Sequence, residues 1–420
     1  MQGTFRSLRN FNYRVWASGA IVSNVGTWMQ RIAQDWIVLT ELTNHNATAV
    51  GIVMSLQFAP AVLLLPLTGY AADHMDRRKL LFLTQVGMGL FALGLGILTI
   101  LKIVKLWHVY AFAFLLGCVA AFDAPARQTF VSDLVGEEDL ANAVALNSTS
   151  FNGARMIGPA VAGLLIARVG SGWVFIINAI SFGAVLISLL LIRGTELHHG
   201  RPASRGGLAD GFRYVRARGD LMVIFVMLFL VATFGLNFPI FIAKMAVDVF
   251  GLGAGQFGLL TSMLAVGSVI GALLAARRPA PYIGLLVASS AAFGAGCVLA
   301  SVMPTTILFG ITLLMIGISA QTFTTSTNSL VQLSTEPAMR GRVIAILLAL
   351  MMGTTPLGAP LVGWIADAYG ARWSLLIGAV AGFAAALAGF LYLRAGHAER
   401  VAQRGSIQVD EKADIPSGPL

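Results

Sequence analysis

Charge is what this sequence has least of. Its 28 Lys and Arg and 19 Asp and Glu make up 11% of 420 residues, against about 25% in an ordinary soluble chain. That shortage excludes a surface wetted on all sides, and with it a soluble enzyme, a nucleic-acid binder and a disordered scaffold. Cysteine is nearly missing too: Cys118 and Cys297 each sit in an apolar run, which offers neither a disulfide framework nor a metal cluster. The six histidines lack metal-ligand spacing, and no Gly-x-x-x-x-Gly-Lys-Ser/Thr run is present for nucleotide-driven work. Gly253-Ala-Gly255-Gln-Phe-Gly258 has the letters of a dinucleotide fingerprint. No strand pattern precedes it and no βαβ unit follows, so it is expected to be a loop entering a helix. No cofactor, no metal and no catalytic group is expected.

Apolar residues are abundant instead, at 57% of the chain, with a mean hydropathy of +0.80. A helix crossing roughly 30 Å of hydrocarbon needs about 20 apolar residues. Twelve such runs can be drawn, near 15–40, 48–72, 80–101, 107–127, 142–167, 173–192, 221–243, 256–276, 282–303, 305–327, 343–367 and 373–393. The first is too long, and lacks the small-residue site, for a cleaved signal peptide. The longest interruption, 193–219, carries Arg193, Arg201, Arg205, Arg213, Arg216 and Arg218. The expected organisation is a six-helix bundle over 1–192, a connecting loop over 193–219, a second bundle over 220–394 and a disordered polar tail over 395–420. With the amino terminus inside, inner segments hold 21 Lys and Arg, outer loops five, and Arg31 and Arg155 fall within spans. That bias places both termini in the cytoplasm, and the +9 net charge reflects it rather than a phosphate-rich partner.

The halves are related by an internal repeat. Shifting Val131–Trp173 by 200 residues lays it on Val331–Trp373 without a gap, matching Gly153, Gly158, Gly163 and Gly170 with Gly353, Gly358, Gly363 and Gly370. Small residues at fixed places in a membrane helix allow close backbone approach. Two parallel repeats suit alternating access around a central site.

After the second run the chain reads Gly69-Tyr-Ala-Ala-Asp73-His-Met-Asp76-Arg77-Arg78-Lys79. This resembles the loop signature of the major facilitator superfamily, Gly-x-x-x-Asp-x-x-Gly-Arg-Arg/Lys, with Asp76 in place of the usual Gly. Phe122-Asp123-Ala-Pro125-Ala-Arg127-Gln128, Asn152-Gly-Ala-Arg155-Met-Ile-Gly158-Pro159, Gln34-Asp35-Trp36 and Arg340-Gly341-Arg342-Val343 are similar to the branch that contains the enterobactin exporter and macrolide-efflux proteins. The resemblance covers about residues 5 to 395. It implies an all-α membrane protein of twelve transmembrane helices in two six-helix repeats, exporting a small organic molecule driven by an ion gradient, with H+ the expected coupling ion. It also implies a gating loop in which Asp73, with Arg77 and Asp123, braces the inner face, helped by Gly69, Arg78, Arg340 and Arg342. Gly158-Pro159 resembles the Gly-Pro motif of facilitator antiporters. Proline removes a helix hydrogen bond and is expected to kink the fifth span.

Charge inside the membrane is expensive and points to function. Arg155 lies mid-span, with Asn152 and Ser148 on its face. In the first span Asn24, Trp28, Arg31 and Asp35 recur at spacings of four, three and four, forming one polar stripe on which Arg31 and Asp35 can pair. Gln321 of the tenth span is a further cavity candidate, with Thr324, Thr325 and Asn328. Lys244 and Asp248 read as markers of the outer end of span seven. Gly363-x-x-x-Asp367 imitates the loop signature but falls on the outer side.

The expected protein is a monomeric transporter of the bacterial cytoplasmic membrane, exporting a siderophore or drug-like molecule by proton antiport. An importer or uniporter on the same fold is the first alternative. A polytopic membrane enzyme would show clustered His or acid at one face, and a sensor would append a soluble domain.

Overall fold

Every apolar run has become a helix, and no strand occurs among the described residues. The computed structural model describes residues 5–198, 208–277 and 281–413. The first half holds α1 (Phe11–Trp36), α2 (Ala47–Leu63), α3 (Leu65–His74), α4 (Arg77–Ile100), α5 (Leu106–Leu134), α6 (Glu137–Val169) and α7 (Ser171–Leu191). A short α8 (Leu208–Ala217) lies in the connector. The second half holds α9 (Gly219–Leu230), α10 (Phe238–Lys244), α11 (Ala254–Ala276), α12 (Ile283–Val302), α13 (Thr306–Ser334), α14 (Arg340–Gly353), α15 (Thr355–Tyr369) and α16 (Ala371–Ala413).

Nine helical stretches among the described residues are long and apolar enough to cross a membrane. Three expected spans fall short of that test. α1 carries Asn24, Arg31 and Asp35, α6 carries several asparagines and Arg155, and α2 stops after 17 residues. In α1 and α6 the shortfall comes from polar residues, which a transport pathway needs; α2 is apolar and falls short in length alone. Two spans are broken in the middle, at Leu64 and Thr354. Pro66 and Pro356 stand in the first turns of the following helices, and each lacks the N–H that would continue the preceding helix's bonding. α6 runs as one helix through Pro159, held between α1 and α11. α16 continues as helix to Ala413, through most of the stretch expected to be a disordered tail. That stretch is rich in Ala, Glu, Gln and Arg and meets no proline before Pro416; residues 414–420 lie outside the described set.

The repeat is visible in backbone detail. Gly170 and Gly370 end α6 and α15 with φ of 85° and 102°, a region open to glycine and strained for other residues. Gly163 lies against Ala254 and Gly258 of α11, as Gly363 lies against Ala47 and Thr48 of α2. A Cβ on either glycine would sit 2.5 Å from a backbone oxygen across the seam. α6–α11 and α2–α15 are thus the two matched seams between the halves. Gly255 and Gly258, expected in a loop, belong to the first turns of α11 and serve that packing.

The termini-proximal ends of the helices define one face, here the terminal face; the opposite face is the distal one. The apolar core divides accordingly. Toward the distal face one cluster takes residues from both halves, among them Ile37, Val50, Phe241, Phe257 and Val362. Toward the terminal face the core separates into a first-half cluster around Trp16, Phe130 and Val185 and a second-half cluster around Leu228, Phe323 and Leu347.

Candidate functional site

The site grows from one face of α1. At a spacing of three and four, Thr27, Gln30, Arg31 and Gln34 point the same way, and all four line a cavity of about 450 Å³. Gln57 and Phe58 of α2, Pro125 and Gln128 of α5, Asn178 and Phe182 of α7, and Leu348 and Met352 of α14 complete its wall. The cavity runs from Gln34, near the distal end of α1, past Thr68 in the first turn of α3, to Gln128 in the terminal half of α5. No Asp or Glu is among its lining residues.

Beside the cavity, Trp28 carries two guanidinium groups. Arg31 sits 4.9 Å and Arg155 5.8 Å from its ring centre, and Arg31 also covers Phe58 at 5.6 Å. Phe151 meets the indole edge-on at 5.7 Å. Gly158 makes room for it, since a Cβ there would lie 2.6 Å from that of Trp28. Cation–π attraction holds both guanidinium groups beside the aromatic rings. Three of the expected residues, Trp28, Arg31 and Arg155, are therefore brought together. Asn24 joins their neighbourhood by donating to Ser150 Oγ at 3.4 Å, while Asn152 donates to the Ser148 carbonyl of its own helix. The expected Arg31–Asp35 pair is not formed: no ion pair among the described residues includes either side chain. The aromatic rings one turn back and on α2 hold Arg31 instead, and Asp35 is left buried, at 6% exposure, beside Gln34. Gln321 bonds Thr325 within α13 and lies outside the cavity lining.

The gating-loop residues are spread over separate networks. Gly69 and Asp73 fall in α3, and the Asp73 side chain lies outside what the structure describes. Arg77, expected to serve Asp73, donates to Asp133 at 2.7 Å, and Arg78 to the Leu189 and Leu190 carbonyls. Asp76, which departs from the family pattern, caps α4 by accepting from the Lys79 N–H. Asp123 accepts from Thr84, Gln85 and Arg127. Arg342 reaches toward Asp210 of α8 at 3.9 Å, and Arg340 is exposed.

Sequence reasoning missed the distal closure. Lys244, 8% exposed, binds Asp248 at 2.8 Å and Asp367 at 3.0 Å and donates to the His45 carbonyl. Asp367 accepts from the Ala47 and Thr48 N–H groups, at 2.8 Å each, and from the Thr48 hydroxyl. His45 Nδ1 lies 3.0 Å from Asp248. These bonds tie the amino end of α2 to α10 and α15. A lone Lys in the most apolar span, and a second Gly-x-x-x-Asp, were the available signals.

Helices without strands among the described residues, a cavity walled mainly by α1, α2, α5 and α7, and matched seams between repeats define a transporter of the facilitator type. The family model described as transmembrane secretion effector matches residues 2–419, and the chain belongs to that family of the major facilitator superfamily. It is a multi-pass membrane transporter of small molecules and not an enzyme. It is 29% identical over 360 residues to the staphyloferrin A transporter of Staphylococcus aureus, covering 84% of this chain and 89% of that one. To the enterobactin exporter of Escherichia coli O1:K1 it is 25% identical over 333 residues, 78% and 79% of the two chains. Among solved structures, a bacterial homologue of the lysosomal transporter Spinster, in an inward-facing and occupied conformation, superposes with a TM-score of 0.71 at 15% identity, over 92% and 97% of the chains. A bacterial homologue of the iron transporter ferroportin gives 0.69 at 14%, over 91% and 98%. At these identities the likeness concerns the fold.

Proposed function

We propose that this protein is a proton-coupled exporter of a siderophore-type molecule in the bacterial cytoplasmic membrane. It works as a monomer with both termini in the cytoplasm. The bundles 1–192 and 220–394 rock against each other, and 193–219 links them on the cytoplasmic side. The observation that carries this reading is the cavity itself: it reaches toward the terminal face while the distal face is tied shut between the halves. Substrate enters from the cytoplasm and meets Arg31 and Arg155, held on Trp28, with Asn24 and Asn152 nearby. Arginine is effectively never deprotonated in proteins, so the proton is carried by another group. Asp35, buried within a turn of Arg31, is that group. A proton arriving from the distal side neutralises it and favours release, and its departure to the cytoplasm resets the cycle. Asp73 with the basic loop Arg77–Lys79, and Arg340 and Arg342 in the second half, close the terminal face in the opposite state.

The test is transport in proteoliposomes with an imposed pH gradient. Asp35→Asn is expected to abolish gradient-driven export while retaining substrate binding, and Arg155→Ala to impair binding. Wild-type gradient dependence in Asp35→Asn removes that carboxylate from the mechanism. A deletion strain secreting as much siderophore as its parent under iron limitation removes the cargo. Reporter fusions near Arg205 and after Arg394 check the orientation, and a periplasmic signal at either rejects it.

A further inference from the structure

Gln34 is fully buried, yet neither its Oε1 nor its Nε2 has a hydrogen-bond partner among the described residues. A buried amide without partners is costly to a fold, so each such group calls for an explanation. The amides around it are already engaged. Gln30 Oε1 accepts from Asn178 Nδ2, and Asn178 Oδ1 accepts from Ser181. Gln34 lines the cavity three residues beyond Arg31, whose guanidinium lies beside the Trp28 and Phe58 rings. Phe58, Met88, Leu116 and Phe182 supply apolar wall, beside the polar Thr27, Gln57, Thr68 and Gln128. All but two lining residues belong to the first half, so this is a lobe inside one bundle rather than a cleft shared equally.

From this geometry we propose that the lobe selects a substrate by a carboxylate that carries a neighbouring hydroxyl or amide N–H. The proposal deepens the transport reading above and rests on its choice of cavity. A guanidinium offers parallel N–H groups in one plane, which match the two oxygens of a carboxylate. Gln34 adds one donor, which the same carboxylate accepts, and one acceptor, which only a substrate hydroxyl or N–H can satisfy. The absence of Asp and Glu from the lining disfavours cations, so the cargo is an oxygen-rich anion and not a cationic drug. A site built to hydrogen-bond a hydroxyl rejects the analogue that lacks it more strongly than an apolar pocket rejects an extra methylene.

The experiment uses the full chain in nanodiscs, without any gradient, and two labelled probes. Citrate has three carboxylates and a hydroxyl; tricarballylate has the carboxylates alone. Wild type should bind citrate roughly ten-fold more tightly, a difference of about 1.4 kcal/mol. Gln34→Leu should bring citrate down to the tricarballylate level with no fall in melting temperature, because it removes unpartnered polar atoms from a buried place. Arg31→Gln should weaken both probes. Equal binding of both probes by wild type, no citrate binding at millimolar concentration, or unchanged preference in Gln34→Leu would overturn the proposal. So would displacement of citrate by inorganic phosphate or by tetraphenylphosphonium at equal concentration. A lower melting temperature in Gln34→Leu would make Gln34 a structural residue and overturn it as well. Because no gradient is present, failure of proton coupling leaves these results untouched. Intact export with no Gln34-dependent preference rejects the inference alone.

Discussion

The two faces of this molecule are held by different kinds of contact. At the distal face, polar bonds cross between the halves: Asp367 caps α2, Lys244 reaches the His45 carbonyl, and His45 meets Asp248. At the terminal face, the ion pairs among the described residues stay within a half or its connector, as in Arg6–Asp139, Arg77–Asp133, Arg127–Asp123 and Arg218–Asp220. The apolar core follows the same division, common to both halves on one side and split on the other. The difference teaches where energy is stored for switching. Contacts inside a half keep each bundle rigid in both states, while contacts between halves set the population of one state against the other.

Lys244→Met should have the largest effect on that balance. It removes the cation from between Asp248 and Asp367 and leaves two carboxylates facing each other. Both carboxylates belong to the same half as Lys244, so what is lost between the halves is the charge-assisted bond to the His45 carbonyl, about 1.5–3 kcal/mol, or roughly ten- to a hundred-fold in population. Spin labels at positions 103 and 304, in exposed distal loops of the two halves, should then move apart. An unchanged distance distribution would mean that the latch does not hold the distal face. Gly163→Ala and Gly363→Ala come next. Each puts a methyl 2.5 Å from a backbone oxygen of the other half, an overpacking cost of about 1–3 kcal/mol. Both should open the distal face to similar extents, because the two seams are repeat-related.

Asp123→Asn tests the other side of the comparison. Its carboxylate collects Thr84, Gln85 and Arg127 inside the first bundle. Weakening that network should lower thermal stability by about 1–2 kcal/mol and leave the distal label distance as in wild type. A shift in that distance would show that terminal-face networks also set the population.

How much of this was legible beforehand depends on the range of the interaction. The spans were readable, because a run of apolar residues becomes a helix by local rules. So were Gly170 and Gly370, which the 200-residue offset paired before either φ was known. Trp28, Arg31 and Arg155 were readable too, since a charge inside a membrane stands out on its own. What failed were pairings. Asp367 bonds to residues 320 and 319 positions away, and no local pattern pairs positions that far apart. The Arg31–Asp35 pair was the natural expectation from their spacing, but the guanidinium lies beside Trp28 and Phe58 and makes no ion pair with Asp35. Gln34 was visible only as part of Gln34-Asp35-Trp36. Its significance lies in having no partner, and only three-dimensional structure reveals that.

The smallest effect is expected from His45→Gln, and it sharpens the comparison by showing which part of the latch matters. His45 contributes to the distal closure in two ways: its backbone carbonyl accepts from Lys244, and its ring approaches Asp248. The substitution keeps the first and alters the second. The ring is 49% exposed and Asp248 29% exposed, so water screens the pair and it contributes less than about 1 kcal/mol. His45 also holds a backbone φ of 56°, and Gln tolerates that conformation no better, so any opening includes a small backbone cost. The label distance should move by a small fraction of the Lys244→Met change. An effect as large as that of Lys244→Met would transfer the latch from the buried lysine to the exposed imidazole, and the distal face would then be governed by a surface pair.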